Sequence, residues 1–355
     1  MSNKVPPLSF NHSIKYNVGG RSRQTQAKPK VLSIASVPDD NTVVIDYVDQ
    51  RGILFNKTGN FELPLYAGSI DREDIVLGGV KAEIPQFSRP DFAFVRICDP
   101  DSNQKGLELA RQIIEQHNIP VLNSPENILA TRRDVFYQRF AGFDEKIVIP
   151  KTVRITPRYC REVEEFLGKG EVSLPCVFRP AGGHNSRGVS LLRQPSDAYE
   201  LERFAFDGRD YYVSELHDCR DNDGLYRKFR VVCIDGKMYP RHFFVSDDWC
   251  VDGKTKFTEQ KYLDEEKHFV ENFESYLGPE LMAKLSRFCA AMELDYFGLD
   301  ANLRPDGTLV VFEANACMAA FRRSGRDYLE PQINAIRLAA KEMMLRFYQT
   351  VKARG

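Results

Sequence analysis

Two kinds of apolar pattern alternate along the chain. Short runs rich in β-branched and aromatic residues, Val31 to Ala35, Val43 to Val48 and Phe92 to Cys98, are bounded by turn residues, as strands are. Leu107, Ala110, Ile113 and Ile114 instead share one helical face. With Ile119-Pro120-Val121-Leu122 behind them, strand, helix and strand predict a βαβ unit inside a small α/β domain over residues 29–124. No G-x-G-x-x-G follows its strands, which argues against a dinucleotide fold. A second region, 125–213, opens on the helix start Ser124-Pro125-Glu126-Asn127, passes Arg132, Arg133 and Arg139, and includes Ile147-Val148-Ile149-Pro150 and the run Pro175 to Arg179. The third, 214–355, holds two hairpins separated by a helix with Pro279 at its first position and Leu281, Leu285, Phe288 and Met292 along one face. Ile336, Ala340, Met343 and Phe347 repeat that signal near the end of the chain. Both stripes are core faces without chemistry of their own. The fold class is therefore α/β with α+β subdomains. Residues 1–28 carry Lys4, Lys15, Arg21, Arg23 and Lys28 but no acid; they predict a flexible basic tail, with an arm for an anionic partner as the rival reading.

Composition narrows the function classes. At 355 residues the chain suits two or three subdomains around shared cores. Its 49 basic residues balance 50 acidic ones, so no overall field draws it to nucleic acid or to an anionic membrane, and any anion site is local. No apolar stretch is long enough to span a bilayer, and no signal peptide leads the chain, which makes the cytoplasm the expected compartment. Eight cysteines without a C-x-x-C pair read as reduced thiols. The six histidines do not join them at zinc spacings.

The strongest chemical signal is Gly298-Leu299-Asp300-Ala301-Asn302-Leu303-Arg304-Pro305-Asp306-Gly307 followed by Thr308 to Asn315. Pro-Asp-Gly between two apolar-alternating runs predicts a hairpin. With the turn centred on Asp306 and Gly307, Asp300 lies opposite Glu313, and a three-residue loop shifts this by one position. Period two puts Asn315 on the face of Glu313. Two facing carboxylates repel, and carboxylate plus amide oxygens are what a hard cation such as Mg²⁺ takes. The rival reading is a solvated hairpin face with incidental acids.

A second signal runs from Pro175 to Val189: an apolar strand ending in Arg179, then a loop with Gly182, Gly183, His184, Asn185, Ser186, Arg187 and Gly188. Such a loop lets backbone N–H groups approach phosphate oxygens. It is not a Walker loop, since no G-K-[ST] closes it, and a mobile surface loop is the alternative. The third signal is Tyr226-Arg227-Lys228-Phe229-Arg230 through Asp235-Gly236 to Arg241-His242. A two-residue loop sets Arg230 opposite Arg241 with Lys228 on the same face, predicting either an anion platform or an exposed basic edge. Asp218, Asp221, Asp223 and Gly224 hint at a calcium loop but lack its full spacing, so a solvated turn is favoured. Cys317 with His184, His217 or His242 could form a nucleophile and base; a packed thiol is favoured.

Taken in chain order, these segments resemble the ATP-grasp superfamily over residues 29 to about 340, in the branch of glutathione synthetase, D-alanine:D-alanine ligase and ligases that add glutamate to peptide ends. The resemblance implies an N-terminal α/β domain preceding two α+β subdomains, 125–213 with a glycine-rich lid and 214–355 with the metal site, that sandwich ATP. It implies that Arg179, Gly182, Gly183, His184, Ser186 and Gly188 meet the phosphates. Ser214, Glu215 and Leu216 resemble the strand that holds adenine and ribose, and Arg133 the early basic residue near the nucleotide. Asp300, Glu313 and Asn315 match the Mg²⁺ ligands, for a pair of ions, with Mn²⁺ as a substitute. Lys228, Arg230 and Arg241 fall to catalysis. Arg179 stands where lysine is common, and Ala316-Cys317-Met318 where small residues with proline or glycine are. The hairpin with Pro240, His242 and Trp249 also resembles ATP-grasp domains of unassigned role attached to helical repeats, which this chain lacks. The implied activity is amide or peptide bond formation through an acyl phosphate, with release of ADP and phosphate and closure of the 182–188 loop. The substrates would be small-molecule or peptide carboxylates and amines. A homodimer fits the habits of such folds. Two other readings stay open: an ATP-grasp small-molecule kinase and a non-catalytic nucleotide-binding module.

Overall fold

A computed structural model of the chain describes residues 27–40, 45–48, 54–56, 61–78, 84–183, 188–323 and 325–354. Most of the basic tail, and His184 to Arg187 of the glycine-rich segment, lie outside them.

The first unit contains β1 (Lys30–Ser36), β2 (Ile45–Val48), β3 (Leu54–Asn56), β4 (Asp71–Leu77), β5 (Phe92–Val95), α1 (Gln104–His117) and β6 (Val121–Leu122). Strands β4, β1, β5 and β6 form a parallel sheet in that order, and β2 pairs antiparallel with β3. The expected βαβ unit is thus β5, α1 and β6. Gly106 lets α1 approach β1, since a Cβ there would stand 2.3 Å from Ser36 Cβ.

The chain then forms α2 (Pro125–Leu129), α3 (Arg133–Phe140) and β7 (Ile147–Val148). Ser124 caps α2, its hydroxyl accepting from Asn127 N at 3.2 Å, and Pro125 fills a position whose N–H is not needed. Next come β8 (Thr152–Ile155), α4 (Cys160–Gly168), β9 (Cys176–Pro180), β10 (Ser190–Leu192) and β11 (Tyr211–Glu215). They build an antiparallel sheet of order β10, β9, β11, β8. Among the described residues its apolar core, with Val163, Leu167, Phe178, Leu201, Tyr211 and Val213, draws on this segment alone.

The remainder supplies β12 (Tyr226–Ile234), β13 (Lys237–Ser246), α5 (Gln260–Glu271), α6 (Phe273–Ala291), β14 (Tyr296–Leu303), β15 (Leu309–Ala316) and α7 (Glu330–Arg354). The sheet order is β13, β12, β14, β15, β7, with β7 parallel to β15; the chain enters this sheet before it builds the previous one. Pro240 sits on the edge strand β13, where its missing N–H breaks no inner ladder. Helix α6 is broken at Gly278 (φ 76°) and restarts at Pro279. Leu281, Leu285, Phe288 and Met292 are buried, and Phe288 packs 4.8 Å from the Phe140 ring of α3. Ile336, Ala340 and Met343 of α7 are buried in a cluster shared with Val31, Phe92, Phe94 and Tyr296, which joins the first unit to the five-stranded sheet. No helix among the described residues is long and apolar enough to cross a membrane.

Candidate active site

The site grows from the hairpin of β14 and β15. Its loop is Pro305-Asp306-Gly307, closed by Arg304 N to Thr308 O at 2.9 Å, with Gly307 at φ 77°. That three-residue loop moves the register by one, so Leu303 faces Leu309 and Ala301 faces Val311. A bulge at Phe312 then moves it back, and Asp300 faces Glu313. On the other side of β14, Asp300 faces Arg230 of β12.

Both carboxylates are held by cations. Arg230 donates to Asp300 through Nε at 2.7 Å and Nη2 at 2.9 Å, and Lys228 Nζ lies 3.8 Å from Oδ2. Burial alone would raise the Asp300 pKa, and the charges of Arg230 and Lys228 outweigh it and hold the carboxyl well below its ordinary range. Arg133, the first residue of α3, donates to Glu313 Oε2 through Nη2 and, at 3.1 Å, to the bulged Phe312 carbonyl through Nη1. Asn315 pairs with Gly298. Its amide nitrogen is satisfied when turned to the Cys98 and Ala316 carbonyls, at 3.2 and 2.6 Å. Among the described residues no three His, Cys, Asp or Glu side chains form a metal cage, so a cation here depends on two carboxylates with an amide.

Arg179 of β9 donates to the Gly183 carbonyl through Nη2, while its buried Nε has no partner among the described residues. Burial, and then the Arg133 charge, disfavour its charged form. A guanidinium nevertheless keeps its proton at neutral pH, which leaves a buried donor in want of an anion. Three cations, Arg133, Lys228 and Arg230, thus hold the two carboxylates, and Arg179 lies near enough to Arg133 to feel its charge.

One expected pairing does not form. Arg241 does not face Arg230, because a bulge in β13 pairs Arg230 with His242; Arg241 is buried and donates to the Ala320 and Arg322 carbonyls at 2.8 and 2.6 Å. It shapes the loop after β15. The backbone amides at the start of the glycine-rich segment are engaged within the fold: Gly183 N donates to Pro180 O at 3.2 Å and Gly182 N to Asp101 Oδ2 at 3.4 Å. Gly188, at φ 66°, packs on the Pro180 ring; His184 and Ser186 lie outside the described residues. The amides of Glu215 and Leu216 are likewise spent, on Lys151 O at 2.9 Å and Pro175 O at 3.1 Å, and the Ser214 hydroxyl lies 2.8 Å from that of Thr152. The Glu215 carboxylate is 3.9 Å from His217 Nε2. Acids of the calcium-like turn bind arginines instead, Asp218 with Arg220 and Asp221 and Asp223 with Arg227. Cys317 is fully buried and burial pushes its thiol up, which suits packing and not nucleophilic attack.

Nothing in the sequence singles out Lys256, whose ammonium lies 4.2 Å from the Phe244 ring centre; His242, weighed above as a base and as part of the basic hairpin, has its ring stacked on Phe244 at 4.1 Å. Burial, followed by the Arg230 charge, keeps that imidazole neutral. The alternation of His242 and Phe244 in β13 was a usable signal; Lys256 sits in a loop with none.

This architecture is the ATP-grasp fold, the class that three-dimensional comparison defines. D-alanine–D-alanine ligase from Bacillus anthracis, solved with ATP, aligns over 92% of this chain and 100% of its own, with a TM-score of 0.53 and 13% identity. VanG D-Ala:D-Ser ligase from Enterococcus faecalis covers the same shares at 0.51 and 13%, and D-alanyl-alanine synthetase A from Vibrio cholerae covers 92% and 99% at 0.51 and 12%. No family model and no curated protein matches the sequence, so the likeness to these ligases is one of fold.

Proposed function

We propose that the chain is an ATP- and Mg²⁺-dependent ligase that activates a carboxylate as an acyl phosphate and joins it to an amine, releasing ADP and phosphate. One observation carries this reading: Asp300 faces Glu313 with three cations held on the pair, in a fold shared with ligases. Three cations against two carboxylates, with Arg179 near Arg133, leave the cluster positive, which suits the negative charge of a triphosphate carrying a divalent ion. Asp300, Glu313 and Asn315 offer the oxygen donors a hard cation takes. Bound there, Mg²⁺ would neutralise phosphate oxygens. Arg179 and Arg230 would offset charge as a substrate carboxylate oxygen attacks the γ-phosphorus and the bond to ADP breaks. The amine nitrogen then attacks the acyl carbon, phosphate leaves, and the amine proton passes to solvent. A cytoplasmic location goes with this chemistry, supported by eight free cysteines.

The test is an ADP-release screen of the purified chain with ATP, Mg²⁺ and mixtures of amino acids, dipeptides and small carboxylates. ADP with free phosphate and a coupled product supports ligation. ADP with a phosphorylated product identifies a kinase, and tight ATP binding without ADP under every mixture a non-catalytic module. Glu313→Gln should lower turnover at least about a thousandfold with the fold intact; near-normal turnover removes Glu313 from the site.

A further inference from the structure

The four-stranded sheet that carries Arg179 has an apolar core of its own, so its position relative to the rest of the chain depends on contacts at its rim. One buried polar junction stands out. Asp101 lies on the loop between β5 and α1, in the first unit. Its Oδ1 accepts from Arg154 Nη1 at 2.7 Å and from the Tyr212 hydroxyl at 2.5 Å. Arg154 and Tyr212 face one another on the paired strands β8 and β11, and the guanidinium lies 5.8 Å from the Tyr212 ring centre. Side-chain exposure is 10% at Asp101 and 17% at Arg154, a depth at which a charge-assisted pair is little screened.

The junction reaches the site in two directions. Arg154 Nε also donates to Asp210 at 2.8 Å, and the Asp210 carbonyl accepts from Ala181 N at 2.9 Å, where the glycine-rich segment begins. There Gly182, at φ 72°, packs so tightly on the Asp101 loop that a Cβ would stand 2.3 Å from Ser102 Oγ. In the other direction the Tyr212 hydroxyl lies 3.4 Å from Asp134, the second residue of α3, whose first residue is the Arg133 that holds Glu313.

We propose that Asp101 is a positioning residue: through Arg154, Tyr212 and Gly182 it clamps the four-stranded sheet, and Arg179 with it, against the first unit and beside the Arg133 that holds Glu313, so the first unit sets where Arg179 stands relative to the Asp300–Glu313 pair. Breaking the clamp frees a body that stays folded by its own core. A merely structural role would instead weaken both sheets together.

The test uses the full-length chain with Asp101→Ala and, as the milder variant, Tyr212→Phe, followed by small-angle scattering and hydrogen exchange without nucleotide. The clamp predicts a larger radius of gyration and exchange at 99–103 and 181–183 faster by about tenfold or more, with 226–234 and 296–303 unchanged. Tyr212→Phe should move the same way by less, which keeps the test decisive if Asp101→Ala does not fold. Unchanged scattering with wild-type exchange, or acceleration spread evenly over both sheets, overturns the proposal. The inference goes beyond the ligase reading, and a nucleotide-binding arm separates the two. Asp101→Ala should weaken ATP at least about tenfold relative to wild type, and unchanged affinity counts against the clamp. A wild-type chain that binds no ATP sinks the ligase reading, while scattering and exchange still decide the clamp.

Discussion

Asp300 is 3% exposed and would be costly as a lone charge. Arg230 and Lys228 make its ionised form the favourable one, and its pKa falls below the ordinary range despite burial, the largest influence on it. Removing only the carboxylate would strand Arg230, so Asp300→Asn should destabilise the chain by about 3 kcal/mol at neutral pH. The sign of the pH dependence follows from a depressed folded pKa. The stabilisation is complete above the unfolded carboxylate value of about 4 and is lost as pH falls through the lower folded value. Urea denaturation of both proteins at several pH values should show a constant gap from neutral pH to about 5 and a narrowing gap below about 4. A gap that closed between pH 8 and 6 would point to some other group.

At the scale of elements, two bulges decide which side chains meet. In β14 and β15 the three-residue loop and the Phe312 bulge shift the register in opposite senses, and Asp300 still meets Glu313 as simple counting expects. In β12 and β13 the two-residue loop was correctly anticipated, yet an uncompensated bulge turns Arg241 away and brings His242 to Arg230. A bulge adds one residue with no compositional mark as plain as Asn-Gly or Pro-Gly, so neither was visible in the sequence. The loop after β15 imposes another constraint. A Cβ at Gly298 would lie 2.2 Å from Met318 Sδ and 2.9 Å from its Cβ. Gly298→Ala should therefore cost about 1–3 kcal/mol in thermal or chemical unfolding, and adding Met318→Ala should recover part of the overpacking loss. Additive losses in the double variant would show that the two residues do not compete for space.

For the whole molecule, the separate core of the four-stranded sheet makes it a candidate for unfolding on its own. Phe178, fully buried and 4.8 Å from the Tyr211 ring, sits at its centre. Phe178→Ala should cost about 3–5 kcal/mol locally, so hydrogen exchange should speed in 152–155 and 211–215 while 226–234 stays protected. Uniform loss of protection would mean that the sheets unfold together. The first unit and the five-stranded sheet differ in this respect, since α7 buries Ile336, Ala340 and Met343 in a cluster that draws on both.

Local order by itself determined β1, β5, α1, the two C-terminal hairpins and the core stripes of α6 and α7, because apolar periodicity and residues such as Pro279 and Gly307 act within a few positions. It also determined that acids and cations stand near the ends of apolar runs. Only the tertiary structure decided which cation meets which acid: Arg133 finds Glu313 across 180 residues, Arg230 finds Asp300 across 70, and Tyr212 finds Asp101 across 111. Such meetings are set by how sheets and helices pack and by one-residue bulges, and a charge leaves no periodic trace of a partner so far along the chain.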